Sequence, residues 1–131
     1  MLHLRDPLRA LEAIRSVCRE AFLSSEEIDL PLSLRHRRQP VARLNGVGSL
    51  CQWWIPNRAG HLRMVRSAGF EIARVGPMYA NRLGASHPPS AGRRDRLHGQ
   101  LQRRVLGGVG VPHSAVLATP GAWVPDQERR S

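Results

Sequence analysis

Gln52-Trp53-Trp54-Ile55-Pro56-Asn57 opens the stretch that decides the fold. It runs into a helical pattern closing on Ala68-Gly69-Phe70 and then into a β-type run, Glu71 to Val75. The order is loop, capped helix, glycine stop and strand, which is half of an α/β unit. Asn57 predicts the helix start because its side-chain oxygen accepts a first-turn backbone N–H. Gly69 predicts the end because it takes positive φ without a Cβ penalty. Phe70 is then expected to pack back on the last turn. A helix laid on a parallel sheet needs other strands, and upstream of Gln52 there is room for few.

Toward the N-terminus, Met1 to Leu4 runs into Arg5-Asp6-Pro7, where Asp6 suits a helix cap and Pro7 the first helical turn. That is a strand-to-helix turn whose strand is only a stub. Leu8, Leu11, Ile14 and Cys18 recur at helical spacing, so Pro7 to Cys18 is expected to be an amphipathic helix, followed by a short buried strand from Ala21 to Ser25. After Glu26-Glu27-Ile28-Asp29, irregular structure is expected through the arginine-rich Leu34 to Arg43 and Asn45-Gly46-Val47-Gly48.

Toward the C-terminus, Phe70 to Val75 is a strand with room to continue past Gly76-Pro77 to Tyr79, and Asn81 to Gly92 is punctuated as a loop by His87-Pro88-Pro89 and two glycines. Leu97, Leu101 and Val105 are four apart, which predicts a basic amphipathic helix from Arg93 to Leu106, stopped by Gly107-Gly108. Ser114 to Ala118 is the last strand, and the polar, proline-containing residues 120–131 form a disordered tail. Strands alternating with helices predict an α/β layer architecture with a mostly parallel sheet.

The chain has 131 residues, 41% of them hydrophobic but only 5% aromatic, which predicts one domain with an aliphatic core. All twenty basic residues are arginine, a bias that fits GC-rich coding and lowers the weight of the overall basicity. The charge is uneven. Met1 to Asp29 holds four arginines against six acids, a net of −2, whereas Leu30 to Arg104 holds fourteen against two, a net of +12. So positive a segment attracts polyanions, since each neutralised phosphate releases counterions; the ordinary alternative is a solvated arginine-rich surface. Cys18 and Cys51 are isolated, which predicts neither a disulfide framework nor a zinc site and fits a reducing cytoplasm. No apolar run approaches the roughly 20 residues needed to span a bilayer.

Four pieces, in order, carry a resemblance: His3-Leu4-Arg5-Asp6-Pro7-Leu8, Phe22 to Asp29, Trp54-Ile55-Pro56-Asn57 through Gly69-Phe70, and Val111 to Leu117. With them, residues 1–119 resemble the C-terminal half of a class I S-adenosylmethionine-dependent methyltransferase. Within that superfamily they look most like the tRNA wobble-uridine (5-oxyacetic acid uridine) methyl and carboxymethyl transferases. The resemblance implies the C-terminal half of a doubly wound, Rossmann-like α/β sheet with an antiparallel last strand, S-adenosylmethionine as cofactor, and RNA (tRNA) or a small molecule as methyl acceptor. Cofactor and substrate would meet at the C-terminal edges of the strands, where helix N-termini expose N–H groups.

On that edge the resemblance places His3, Arg5 and Asp6 as catalytic residues and Glu26, Trp54, Pro56 and Asn57 as substrate-binding ones. Trp53 and Trp54 are candidate pocket walls because indole stacks on nucleobases; the bland reading is a core anchor. His3 is a candidate proton acceptor, although methyl transfer, being mostly positioning and desolvation, needs no base. His36, His61, His87, His98 and His113 have no ligand spacing and are expected to be ordinary surface or loop histidines. Glu26, Glu27 and Asp29 are expected to be solvated acids rather than metal ligands.

The departures are informative too. The glycine-rich cofactor loop and the ribose-binding acid of the family precede the position matching Met1. Gly46-Val47-Gly48 does not replace them, since no strand leads into it and no helix follows. The expectation is a partial domain, inactive alone, that comes from a truncated gene, from a misassigned start at Met1, or from a split domain needing a complementing N-terminal half. The family has a tyrosine where this chain has Leu2, and its carboxymethyl-transferring members have a basic residue near Ser114. A carboxylated cofactor would need a cationic or hydrogen-bonding partner, so their absence points to plain methyl transfer. The alternative is a non-catalytic basic RNA-binding module, using Arg35, Arg37, Arg38, Arg93, Arg94 and Arg96 on phosphates, or an inactive remnant.

Overall fold

The structure, a computed structural model, describes residues 3–44, 52–82 and 93–121, with backbone alone for 93–95. Helix α1, Pro7–Val17, starts where Asp6 accepts the Arg9 amide at 2.9 Å. Strand β1, Phe22–Glu27, follows. Helix α3, Arg58–Ser67, is capped by Asn57, and Gly69 at φ +89° turns the chain into strand β4, Phe70–Asn81. Helix α4, Arg93–Leu106, ends at Gly107, φ +69°, and strand β5, Val111–Pro120, closes the sheet.

Three elements lie where irregular structure or a loop is expected. Helix α2, Leu30–Arg35, forms because Asp29 caps it through the Leu32 amide and Pro31 fits its first turn. Strands β2, Ala42–Leu44, and β3, Trp54–Pro56, pair antiparallel, so the arginine-rich segment ends in a ladder. The cofactor-loop candidate Gly46-Val47-Gly48 lies outside the described residues, as do Cys51, His87 and residues 122–131 of the expected tail. Gly121 is described: its amide donates to the Gly69 carbonyl at 3.0 Å.

The main sheet has the order β1-β5-β4, with β5 antiparallel to both neighbours. β1 and β4 therefore run the same way with β5 between them, and only their side chains meet. The expectation of a mostly parallel sheet is corrected: every hydrogen-bonded pair in it is antiparallel, because the last strand inserts between the two that run in parallel. β4 passes through Gly76-Pro77 by register shifts on either side of Val75, which accommodate a proline that has no N–H for the ladder.

One sheet face carries the core. Leu11, Val65, Ala68, Phe70, Val116 and Ala118 are buried together, and Phe22 stacks on Phe70 at 4.8 Å. Of the expected apolar stripe on α1, only Leu11 is buried; Leu8 and Ile14 are exposed. On α4 the expected stripe is displaced: Leu97 is 66% exposed, and Gln102 and Leu106 face inward instead. The Gln102 amide explains this, since it donates to the Gly110 carbonyl at 3.0 Å and accepts the Gly110 amide at 3.2 Å, fastening the helix to the next turn. Among the described residues no helix is long and apolar enough to cross a membrane.

Candidate functional site

The C-terminal end of β1 gathers three segments far apart in sequence. The turn before α1 supplies Arg5, the β3 segment supplies Gln52, Trp53 and Trp54, and β1 supplies Glu27. The Trp54 indole N–H donates to the Arg5 carbonyl at 3.1 Å, and the Arg5 guanidinium lies over the Trp53 ring, 4.6 Å from its centroid. Gln52 Nε2 donates to Glu27 Oε2 at 3.2 Å, tying the same segment to the strand end. Trp54 is 38% exposed, so its ring presents a face to solvent beside Arg5. A cation over one indole and a second indole held through its N–H form a rigid wall suited to stacking a flat ring.

Of the other expected site residues, Asp6, Pro56 and Asn57 are engaged in the local structure around this wall. Asp6 is occupied as the cap of α1. Asn57 is fully buried and saturated: Oδ1 accepts the Gly60 amide at 2.7 Å and the Val41 amide at 3.1 Å, while Nδ2 donates to the carbonyls of His36 and Gln39 at 2.8 and 2.9 Å. With two acceptor lone pairs and two N–H groups used, its amide keeps no group for a ligand. Pro56 is buried, and its carbonyl accepts the Asp29 amide at 2.8 Å, which docks the start of α2 beside β3. Glu26 is half-buried on β1 opposite Ser114. His3 is exposed in the turn before α1.

His61 is not the surface or loop histidine that its spacing suggests. It is fully buried on α3, with Nε2 and Ser24 Oγ hydrogen-bonded at 2.8 Å, and burial pushes its pKa down to about 4. Neutral and enclosed, it holds α3 to β1.

Side chains cap the starts of the first three helices. Asp6, Asp29 and Asn57 each accept one first-turn amide of α1, α2 and α3, those of Arg9, Leu32 and Gly60, and Ser33 Oγ accepts the Arg58 amide at 2.9 Å. Both described glycines with positive φ, Gly69 and Gly107, follow helices and do not open them. Among the described residues no group of three or more His, Cys, Asp and Glu is placed to hold a metal ion.

Sequence reasoning passes over a second group beside the wall. Across the three strands Glu27 faces His113, and His113 faces Tyr79. The Tyr79 and His113 rings lie 5.7 Å apart, tilted by 36°, and Tyr79 OH meets Ser25 Oγ at 2.5 Å. Ser25 and Tyr79 are 54 residues apart, and only the sheet register joins them. No protein-family model, no curated protein and no solved structure matches the chain.

Proposed function

We propose that the chain is the acceptor-side, C-terminal portion of a class I S-adenosylmethionine-dependent methyltransferase acting on RNA or a small-molecule acceptor. The observation that carries this reading is the strand order β1-β5-β4, with the last strand inserted antiparallel between two strands of common direction. An antiparallel last strand is what the resemblance implies for the end of such a domain. The Trp53-Trp54 wall stands against Arg5 at the C-terminal end of β1, where an open α/β sheet binds its ligands. In this reading the wall and Glu26 hold the acceptor and exclude water.

The cofactor would be held by an upstream half, so the test has two arms. Calorimetry on the chain alone is expected to show weak or no S-adenosylmethionine binding. A micromolar dissociation constant, about −8 kcal/mol, would contradict the partial-site reading. Labelled methyl is expected to reach small RNA or a small acceptor only when a half carrying the glycine-rich loop is fused ahead of the chain. No incorporation from that fusion would refute methyl transfer.

A second reading is a basic RNA-binding module without catalysis. It is favoured by the exposure of Arg35, Arg37, Arg38 and Arg96; the side chains of Arg93 and Arg94 lie outside the described residues. Its signature is RNA affinity falling steeply with salt, with no methyl transfer from the fusion.

A further inference from the structure

The sheet has a second face, opposite the core. It carries Leu23, Ser25 and Glu27 from β1, His113, Ala115 and Leu117 from β5, and Arg74 and Tyr79 from β4. Leu23 is 68% and Leu117 39% exposed, so this face is open beside the ring pair.

Both rings are fixed before any ligand arrives. His113 Nδ1 is 2.9 Å from the Val111 carbonyl, which can only accept, so Nδ1–H donates this bond and orients the ring. Tyr79 is held through its hydroxyl by Ser25. Two half-buried rings with restrained torsions lose little conformational freedom on stacking, and every base has a π-face for them. Charge sets the direction. On the β1 side Glu27, held by Gln52, offers acceptor oxygens to the N–H groups of a base and repels phosphate. On the β4 side Arg74 is exposed on this face and attracts it, with Arg82 exposed just past the Tyr79 end of the strand and the exposed Glu71 at the opposite end, facing Thr119.

We propose that the Tyr79–His113 pair on this open face is a stacking platform for an unpaired nucleobase of single-stranded RNA, with the phosphate backbone running along the β4 side. The proposal rests on the RNA part of the functional reading and not on methyl transfer. A duplex does not fit it, because paired bases keep their faces stacked on each other.

Tyr79 is the only tyrosine in the chain, so 3-fluorotyrosine labelling places one ¹⁹F reporter on the platform. A uridylate decamer, the least self-stacked homopolymer, is titrated into the labelled chain and followed by ¹⁹F NMR, with affinity from fluorescence anisotropy. The expected result is a saturable shift of the single resonance. His113→Ala should weaken binding about tenfold and His113→Phe should restore it, with the salt dependence unchanged because no phosphate contact is lost. Binding that leaves the resonance unmoved would overturn the platform and leave an arginine surface as the RNA site. No binding at low salt would overturn both the platform and the RNA reading. A resonance that moves with protein concentration in the absence of RNA would assign the face to a second copy of the chain and also overturn the proposal.

Discussion

The indole N–H of Trp54 holds the backbone carbonyl of Arg5 across 49 residues of sequence, at 3.1 Å. Through this bond the β3 segment fixes the turn that launches α1, and the Arg5 guanidinium returns over Trp53. The two indoles therefore contribute differently: Trp53 supplies a ring face to a cation, and Trp54 supplies a donor.

Trp54→Phe removes the donor and keeps most of the ring. A single exposed hydrogen bond contributes about 1 kcal/mol or less, so global stability should change little, while amide exchange in the first turn of α1 should accelerate. Trp54→Ala removes the wall as well. In the fusion that tests the proposed methyl transfer, it should reduce turnover by more than its effect on stability accounts for. Equal losses in stability and turnover would leave Trp54 as an anchor only.

Asn57→Ala should be among the most destabilising single changes in the chain. It removes the cap of α3 and leaves the Val41 amide and the carbonyls of His36 and Gln39 without partners. A lost cap costs about 1 kcal/mol and each stranded buried group about 1 to 3, so a loss of about 3 kcal/mol or more in urea unfolding is expected. Asn57→Asp should recover only the cap, because a carboxylate cannot donate to the two carbonyls.

Much of the local structure was legible because caps and stops act locally. Asp6, Asn57 and Gly69 mark their helix boundaries within a residue of those observed. Asp29 and Pro31 carried the same signal for α2, but the density of arginines around Leu34 to Arg43 read as loop. Periodicity misled on α4, where Leu97 and Leu101 keep helical spacing yet face solvent, because the Gln102 clasp on Gly110 decides which face turns inward. The Arg5–Trp53–Trp54 wall was half legible, each segment being recognisable but not their contact. The Glu27–His113–Tyr79 row was not legible at all, since cross-strand register has no trace in spacing. Burial of His61 is likewise set by the packing of α3 on β1.

Gly60→Ala opposes two effects of known sign. In a helix interior alanine is favoured over glycine by about 1 kcal/mol. At this position an added Cβ would stand 2.9 Å from the Val41 carbonyl oxygen and 3.2 Å from Pro56 Cβ, where the start of α3 meets the 36–41 segment. Backbone cannot yield there without disturbing the Asn57 bonds, so the clash should win and the variant should be less stable by about 1 to 3 kcal/mol. A Gly60→Ala chain as stable as the parent in denaturant would mean that this junction is loose.

His61 should make stability fall in mild acid. Its folded pKa, about 4, lies below the value of about 6.5 expected unfolded, so between these limits the unfolded chain binds the extra proton. The contribution is therefore fully present above about pH 6.5 and is lost as pH falls toward 4, by on the order of 3 kcal/mol across the window. Protonation would place a charge at a fully buried site beside the Ser24 hydroxyl, so α3 should loosen from β1. Acid also raises the net positive charge of an arginine-rich chain, which lowers stability without His61, so the informative quantity is a difference between two proteins. His61→Gln keeps an amide able to bond Ser24 and cannot titrate. Chemical denaturation of both proteins between pH 7 and 4 should show the parent losing more stability than the variant. Parallel curves would mean that His61 escapes into solvent before it protonates.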